Sequence, residues 1–109
     1  MNKGSQCLSV GTLNVLPESR QAFLADQVLL VTGLEFNLLS LLTDHSPEVV
    51  TKDVIAQHLY GGDLQRYQQS ICTHVSNLRK KIRYPQGQPD VKILSVRGQG
   101  YALISSAGV

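Results

Sequence analysis

The sequence is poor in cysteine and has no long apolar run. Its two thiols, Cys7 and Cys72, supply neither a zinc-ligand spacing nor a disulfide framework. Reduced thiols are the default in the cytosol, so a cytoplasmic protein is expected. No apolar stretch approaches the ~20 residues that span a bilayer. The polar start MNKGSQ does not have the pattern of a signal peptide, and no membrane partner is expected.

Motifs that carry enzymatic chemistry are also missing. The chain has no glycine-rich phosphate loop, no nucleophile elbow and no paired-cysteine or HExxH metal site. Its three histidines, His45, His58 and His74, are scattered along the chain, and its eight carboxylates show no pairing pattern. We therefore expect no enzyme, no cofactor and no metal site. A small enzyme is the alternative, which a cofactor or metal retained on purification would favour.

Carboxylates are scarce in the second half of the chain. Residues 1–65 hold three basic and seven acidic residues, whereas residues 66–109 hold seven basic residues and Asp90 alone. No carboxylate occurs between Gln65 and Gln86. A half-chain of one sign indicates a polyanionic partner. The alternative is a solvated basic face without a partner.

Enough apolar residues are present, at 42%, for one domain with a modest core. The domain is predicted over residues 8–105, with tails at 1–7 and 106–109. Four short antiparallel strands are expected between Leu8 and Leu30, where brief apolar alternations are separated by turn residues. A hairpin is expected at the other end, where strands over 91–96 and 101–104 flank a glycine-rich turn. A turn-rich linker over 84–89 precedes it.

Three helices are predicted between the strands and the hairpin. A capping box over 32–35 begins the first helix, which ends near Pro47. Thr51 caps the second helix, and Gly61 and Gly62 end it. A polar loop is expected from Gly61 to Tyr67, before a third helix from about Gln68 to Arg83.

The third helix has an apolar stripe and a polar face. Its apolar residues recur at the spacing of one helical face: Ile71, Val75, Leu78 and Ile82. At about 100° per residue, the other sides carry amide, hydroxyl, imidazole and basic side chains: Arg66, Gln69, Ser70, Thr73, His74, Ser76, Asn77, Arg79 and Lys80. Such side chains hydrogen-bond base edges and phosphates. An ordinary amphipathic helix is the alternative.

The three helices together suit a helix-turn-helix frame, whose third helix fits the major groove of DNA. In the hairpin, Arg97 lies beside Gly98 at the predicted tip. An arginine there suits a narrow minor groove, where the negative potential is enhanced. A routine turn with a solvated arginine is the alternative.

Four segments carry a family resemblance: VTGLEFNLLSLL, VVTKDVIAQHLY, CTHVSNLRKKI and ILSVRGQGYAL. In this order they closely resemble the winged-helix effector domains of OmpR/PhoB-type response regulators, over Leu8 to Ile104. The SNLR core and the glycine-rich wing look most like CpxR-type members. The resemblance implies an α+β fold, with an N-terminal four-stranded antiparallel sheet, three helices and a C-terminal β-hairpin wing. It also implies a bacterial two-component transcription regulator that binds double-stranded promoter DNA, often as tandem copies.

Residue roles follow from the resemblance by position. Thr73 and Asn77 lie where the family reads bases, and Arg97 matches the wing arginine of the minor groove. Contacts to phosphates or to the groove wall are implied for His74, Ser76 and Arg79. Two positions depart from the family, which commonly has arginine at the position of Gln69 and an acidic residue at that of Cys72. Arg66 is the candidate to replace the missing cation.

Protein partners are also implied by the resemblance. The loop Gly61–Tyr67 matches the segment that meets RNA polymerase in activators of this type. The receiver domain of the phosphorelay is absent from this chain, so an excised effector domain or a different partner domain is expected. Because receivers usually supply dimerisation, weak or no dimer is expected off DNA. A winged-helix protein-interaction module without DNA binding is the alternative function.

Overall fold

A computed structural model describes residues 7–83 and 91–105 of the chain. The predicted linker over 84–89 and nearly all of the predicted tails lie outside the described residues. The elements in chain order are β1 (Leu8–Val10), β2 (Leu13–Leu16), β3 (Gln21–Leu24), β4 (Gln27–Val28), α1 (Gly33–His45), β5 (Val50–Thr51), α2 (Lys52–Tyr60), α3 (Leu64–Arg83), β6 (Val91–Val96) and β7 (Gly100–Ser105).

The first four strands form the predicted N-terminal antiparallel sheet, in the order β1-β2-β3-β4. Leu13 of β2 lies opposite Leu24 of β3, and Val15 lies opposite Ala22. All four side chains are buried, because alternate residues of a strand point to one face. This face belongs to the same core cluster as the buried side chains of the helices. The expectation of four short strands is confirmed.

The capping box begins α1 as predicted. The Thr32 hydroxyl accepts a hydrogen bond from the Glu35 backbone N–H at 3.2 Å, and the Glu35 carboxylate accepts one from the Thr32 N–H at 3.1 Å. Together they satisfy two backbone donors that a helix start otherwise leaves open. The helix is apolar around most of its girth and packs against α2, α3, β1 and β7. It therefore lies in the middle of the core, with Leu38, Leu39 and Leu42 fully buried.

The predicted loop from Gly61 to Tyr67 is wrong over its second half. Gly61 ends α2 in a left-handed conformation, with φ of 83°, which glycine adopts without steric cost. Only residues 61–63 separate the helices, since α3 already begins at Leu64. The Tyr67 ring stacks on Tyr60 at a centroid distance of 4.0 Å. This contact between helices favours a helical turn that the polar local sequence does not predict.

A three-stranded sheet closes the domain, in the order β5-β7-β6. The predicted hairpin forms its β6 and β7, with Ile93 opposite Leu103. The two-residue strand β5 was not predicted, and its Val50 pairs with Tyr101. Gly100 permits this pairing, because a Cβ there would lie 2.8 Å from the Thr51 Cα atom. β5 thereby attaches the hairpin to the start of α2.

The apolar stripe of α3 is buried as predicted. Ile71, Val75, Leu78 and Ile82 are each at most 3% exposed. The predicted α+β winged-helix architecture is confirmed, with β6 and β7 as the wing. Within residues 7–83 and 91–105, no helix combines the length and apolar character needed to cross a membrane.

Candidate nucleic-acid interface

The side of α3 opposite its buried stripe faces solvent. Five of the residues predicted for this site are exposed there: Arg66, Gln69, Thr73, Ser76 and Lys80. The Thr73 hydroxyl donates to the Gln69 carbonyl at 3.1 Å, so one of its hydrogen-bonding positions is used within the helix. The other positions and the methyl group remain available. This exposed strip is straight, since its members recur every three or four residues.

One flank of α3 is tied to the other helices. The Tyr60 hydroxyl and His74 Nε2 are 3.1 Å apart, and His74 Nδ1 is buried with no hydrogen-bond partner in the described part of the chain. Lys81 donates to the Glu35 carboxylate at 2.6 Å. Glu35 is 3% exposed, and its carboxylate thus joins the start of α1 to the end of α3.

The Glu35 carboxyl has a lowered pKa. Burial alone would raise this pKa, but hydrogen bonds from Lys81 and the Thr32 backbone and the positive charge of Lys81 outweigh burial. A hydrogen bond from the Asn77 side chain contributes in the same direction. Asn77 is half-buried, so this predicted base-reading residue also contacts the protein interior.

The other flank of α3 faces the wing. The Arg79 guanidinium donates to the Ile93 carbonyl from Nε at 3.0 Å and from Nη2 at 2.8 Å, and Nη2 also donates to Ser95 Oγ at 2.7 Å. Cys72 Sγ lies 3.7 Å from the Tyr101 hydroxyl. Burial raises the pKa of that hydroxyl, and the hydrogen bond to Cys72 raises it further. The prediction that Arg79 contacts phosphate stays a prediction, but most of its donors are directed to β6.

The wing tip carries Arg97 in an exposed position. The Gln99 N–H donates to the Val96 carbonyl at 2.9 Å and closes the turn, in which Gly98 has φ of 75°. Gln99 in turn accepts a hydrogen bond from the Lys52 N–H at 3.1 Å. The base of the tip is therefore held by the start of α2, while the Arg97 side chain extends into solvent.

Positive charge dominates the surface formed by α3 and the wing tip. The 20 residues of α3 include five basic residues and no acidic residue, and the tip adds Arg97. Arg66 also lies 5.5 Å above the Tyr67 ring. An arrangement of exposed amides, hydroxyls and cations can hydrogen-bond base edges and phosphates. Among residues 7–83 and 91–105, no three His, Cys, Asp or Glu side chains are grouped to hold a metal ion.

Four predicted site residues, Ser70, His74, Asn77 and Arg79, are only partly exposed. Conversely, Gln65 is exposed one turn before Gln69 and was not predicted. Extending the helical spacing backwards finds it, once α3 is known to start at Leu64. Exposed Cys72 was also missed; its place beside the wing depends on a tertiary contact that spacing alone does not reveal.

Comparisons with known proteins agree with this architecture. Residues 26–103 match the family described as "Transcriptional regulatory protein, C terminal". The chain therefore belongs to this family of OmpR/PhoB-type effector domains. It is 37% identical to the transcriptional regulatory protein CpxR of Klebsiella pneumoniae, over 95% of this chain and 44% of the relative. It is 36% identical to Escherichia coli CpxR, over 97% of this chain and 45% of the relative. The chain thus spans less than half the length of these curated relatives.

Solved structures show the same fold. The crystal structure of the DNA-binding domain of CpxR from E. coli has a TM-score of 0.78 and 36% identity, with 94% of this chain and all of that chain covered. The DNA-binding domain of K. pneumoniae RstA, solved in complex with the RstA box, has a TM-score of 0.78 and 26% identity, with 91% and 97% covered. The expected resemblance to CpxR-type regulators is confirmed.

Proposed function

We propose that this domain binds double-stranded promoter DNA, with α3 in the major groove and Arg97 in the minor groove. The observation that carries the proposal is the exposed face of α3, where amides, hydroxyls and cations occur without a carboxylate. A helix of 20 residues is roughly 30 Å long and spans the groove. The RstA domain, which shares the fold, was solved with its DNA box bound.

Base reading is proposed for Thr73 and Asn77. Thr73 lies at the middle of the exposed face, where its methyl group can contact a thymine methyl and its hydroxyl a base edge. Asn77 lies one turn further on and is half-buried. Gln69 and the unpredicted Gln65 extend the same strip towards the start of α3.

Phosphate binding is proposed for the cations and hydroxyls beside these residues. Arg66 and Lys80 lie at opposite ends of the exposed strip and can reach the two walls of the groove. Ser70, His74 and Ser76 are proposed to add neutral hydrogen bonds to phosphate oxygens or to the groove wall. Each exposed cation that pairs with a phosphate releases counterions, which contributes affinity for every sequence.

Selection from a random duplex pool tests the proposal. The full chain should enrich a short site, and two directly repeated copies about one helical turn apart would indicate tandem binding. Anisotropy titrations against that site should then separate two roles. Thr73→Ala should relax preference at one base pair and cost about 1–3 kcal/mol. Lys80→Ala should weaken all duplexes alike and reduce the salt slope by about 0.9.

Gln27→Ala provides the control, because Gln27 is exposed on β4 of the N-terminal sheet. It should bind like the unmodified chain. Failure to bind any duplex at moderate salt, together with capture of a defined protein partner, would contradict the proposal and favour the protein-interaction alternative.

Protein partners are proposed on the resemblance alone. A receiver domain is expected to regulate the domain by phosphorelay, and the isolated domain is expected to be monomeric or weakly dimeric off DNA. RNA polymerase is proposed to meet the segment Gly61–Tyr67, which comprises the turn between α2 and α3 and the first residues of α3. Gly61, Asp63, Gln65 and Arg66 are exposed there. Sedimentation of the chain with and without duplex measures the oligomeric state, and transcription in vitro with an Asp63→Ala variant tests the contact with RNA polymerase.

A further inference from the structure

We propose that Arg79 is a wing-positioning residue, which fixes β6 against α3 and so sets the distance between the base-reading strip and Arg97. This inference rests on the proposed DNA binding. Neither the spacing of the sequence nor the family resemblance assigns the role, since the spacing places Arg79 only on the polar sides of α3 and the resemblance implies a contact to phosphate or to the groove wall.

The use of the guanidinium donors supports the assignment. An arginine has five N–H donors in a fixed plane. In this structure Nε–H and both N–H groups of Nη2 are directed to β6, with distances of 2.7 to 3.0 Å. Only the donors on Nη1 remain for another acceptor. A side chain placed mainly to bind phosphate would keep its planar fork free.

The position of β6 explains why a clamp is needed. It is the outer strand of its sheet, and the outer edge of such a strand has backbone groups without a strand partner. Arg79 donates two hydrogen bonds to the Ile93 carbonyl and one to the Ser95 hydroxyl, and Ser95 lies two residues before Arg97. Its guanidinium also lies 6.0 Å from the Tyr101 ring centroid, in the central strand β7. One side chain of α3 therefore contacts both wing strands.

This geometry couples the proposed contact of α3 in the major groove to the proposed contact of Arg97 in the minor groove. α3 and the wing tip belong to different elements, and a minor-groove arginine adds affinity only where the tip meets the groove beside the base-reading site. A charge-assisted bidentate contact is geometrically selective. Lysine at this position keeps the charge but cannot reproduce the planar fork. The substitution Arg79→Lys can thus separate the effect of the positive charge from the effect of the planar arrangement of donors.

A double-mutant cycle on the full chain tests the coupling. In the unmodified chain, Arg97→Ala should lower affinity for the selected duplex about tenfold, the effect of one charge-assisted contact. In the Arg79→Lys background, the same change should cost less than about threefold, and the preference for A·T-rich flanks should already be weak.

Hydrogen exchange on the free chain provides a second measurement that does not depend on DNA. Arg79→Lys should speed exchange of the backbone amides over 94–99, and Ser95→Ala, which removes one neutral partner, should do so more weakly. Amides of α1 should not change, which shows that the fold is retained. Lys80→Ala is the matched control: it should reduce the salt slope and leave wing exchange unaltered.

Unchanged exchange over 94–99 in Arg79→Lys would overturn the proposal, as would an equal cost of Arg97→Ala in both backgrounds. If the unmodified chain binds no duplex, the proposed function fails. Hydrogen exchange then decides by itself whether Arg79 positions the wing. If DNA binds and the cycle shows no coupling, only the role of Arg79 fails.

Discussion

Substitution of Glu35 by glutamine tests the contact that fastens α3 to α1. The Glu35 carboxylate accepts from Lys81 at 2.6 Å, and it is 3% exposed, whereas the Lys81 side chain is 34% exposed. Glutamine keeps an oxygen for the Thr32 N–H, so the helix cap is largely retained and the change removes mainly the charge. A hydrogen bond between charged groups contributes about 1.5–3 kcal/mol.

The expected loss is nearer the lower end of that range, because the partly exposed Lys81 ammonium returns to water when its partner becomes neutral. We expect Glu35→Gln to lower the free energy of unfolding by about 1–2 kcal/mol at pH 7. For a domain of this size, that corresponds to a decrease of about 5–10 °C in Tm. Thermal and urea unfolding followed by circular dichroism measure both quantities.

The pH dependence gives a stricter test. The pKa of Glu35 in the folded state lies below its ordinary value of 4.5, so the unfolded chain takes up a proton first as pH falls. The stabilisation is therefore present above pH 4.5 and is lost as pH falls through the lowered pKa of the folded state. The difference between Glu35→Gln and the unmodified chain should shrink accordingly. A difference that stays constant from pH 3 to pH 7 would refute the reasoning. Glu48→Gln, at an exposed carboxylate, controls for the loss of one acid.

Two further predictions concern packing. Gly100→Ala should destabilise the domain by about 3 kcal/mol or more, because its Cβ would lie 2.8 Å from the Thr51 Cα and 2.9 Å from the Val50 carbonyl carbon, both of them backbone atoms. Gly98→Ala has open space and should cost only the left-handed backbone strain, about 1–2 kcal/mol; urea unfolding compares them, and equal losses would argue against the steric explanation. Leu78→Ala, at a fully buried position, should cost about 2–5 kcal/mol, whereas exposed Ser76→Ala should stay within about 0.5 kcal/mol in the same assay.

Local signals were sufficient to predict most of the fold. The capping box at Thr32, the cap at Thr51 and the glycine at position 61 each act through backbone groups within a few residues. The stripe of α3 depends on spacing alone. Such features can be identified in the sequence because their physical cause lies within one turn or one strand.

The features that could not be predicted depend on contacts between distant segments. The start of α3 rests on the stacking of Tyr67 on Tyr60, and β5 is a strand only because it pairs with β7. The side chain of Arg79 could be assigned to the polar surface by its position on the helix, but its partners lie 14 and 16 residues further along the chain. Helical spacing predicts which side of the helix a side chain lies on. It does not predict which group on another segment the side chain contacts.

The same distinction sets the expected salt dependence of DNA binding. Counting the seven basic residues of the second half of the chain would give a slope near −6, at about 0.9 per neutralised phosphate. Two of the seven are engaged inside the protein, since Lys81 pairs with Glu35 and Arg79 donates to β6. Of the five that remain, Arg66, Lys80 and Arg97 are solvent-exposed on the strip and the wing tip. Arg83 at the end of α3 and Lys92 of β6 belong to neither surface. With three such cations, the slope per bound domain should be near −3. A measured slope near −6 would show that Arg79 and Lys81 leave their internal partners to neutralise phosphates, and the wing clamp would then not persist on DNA.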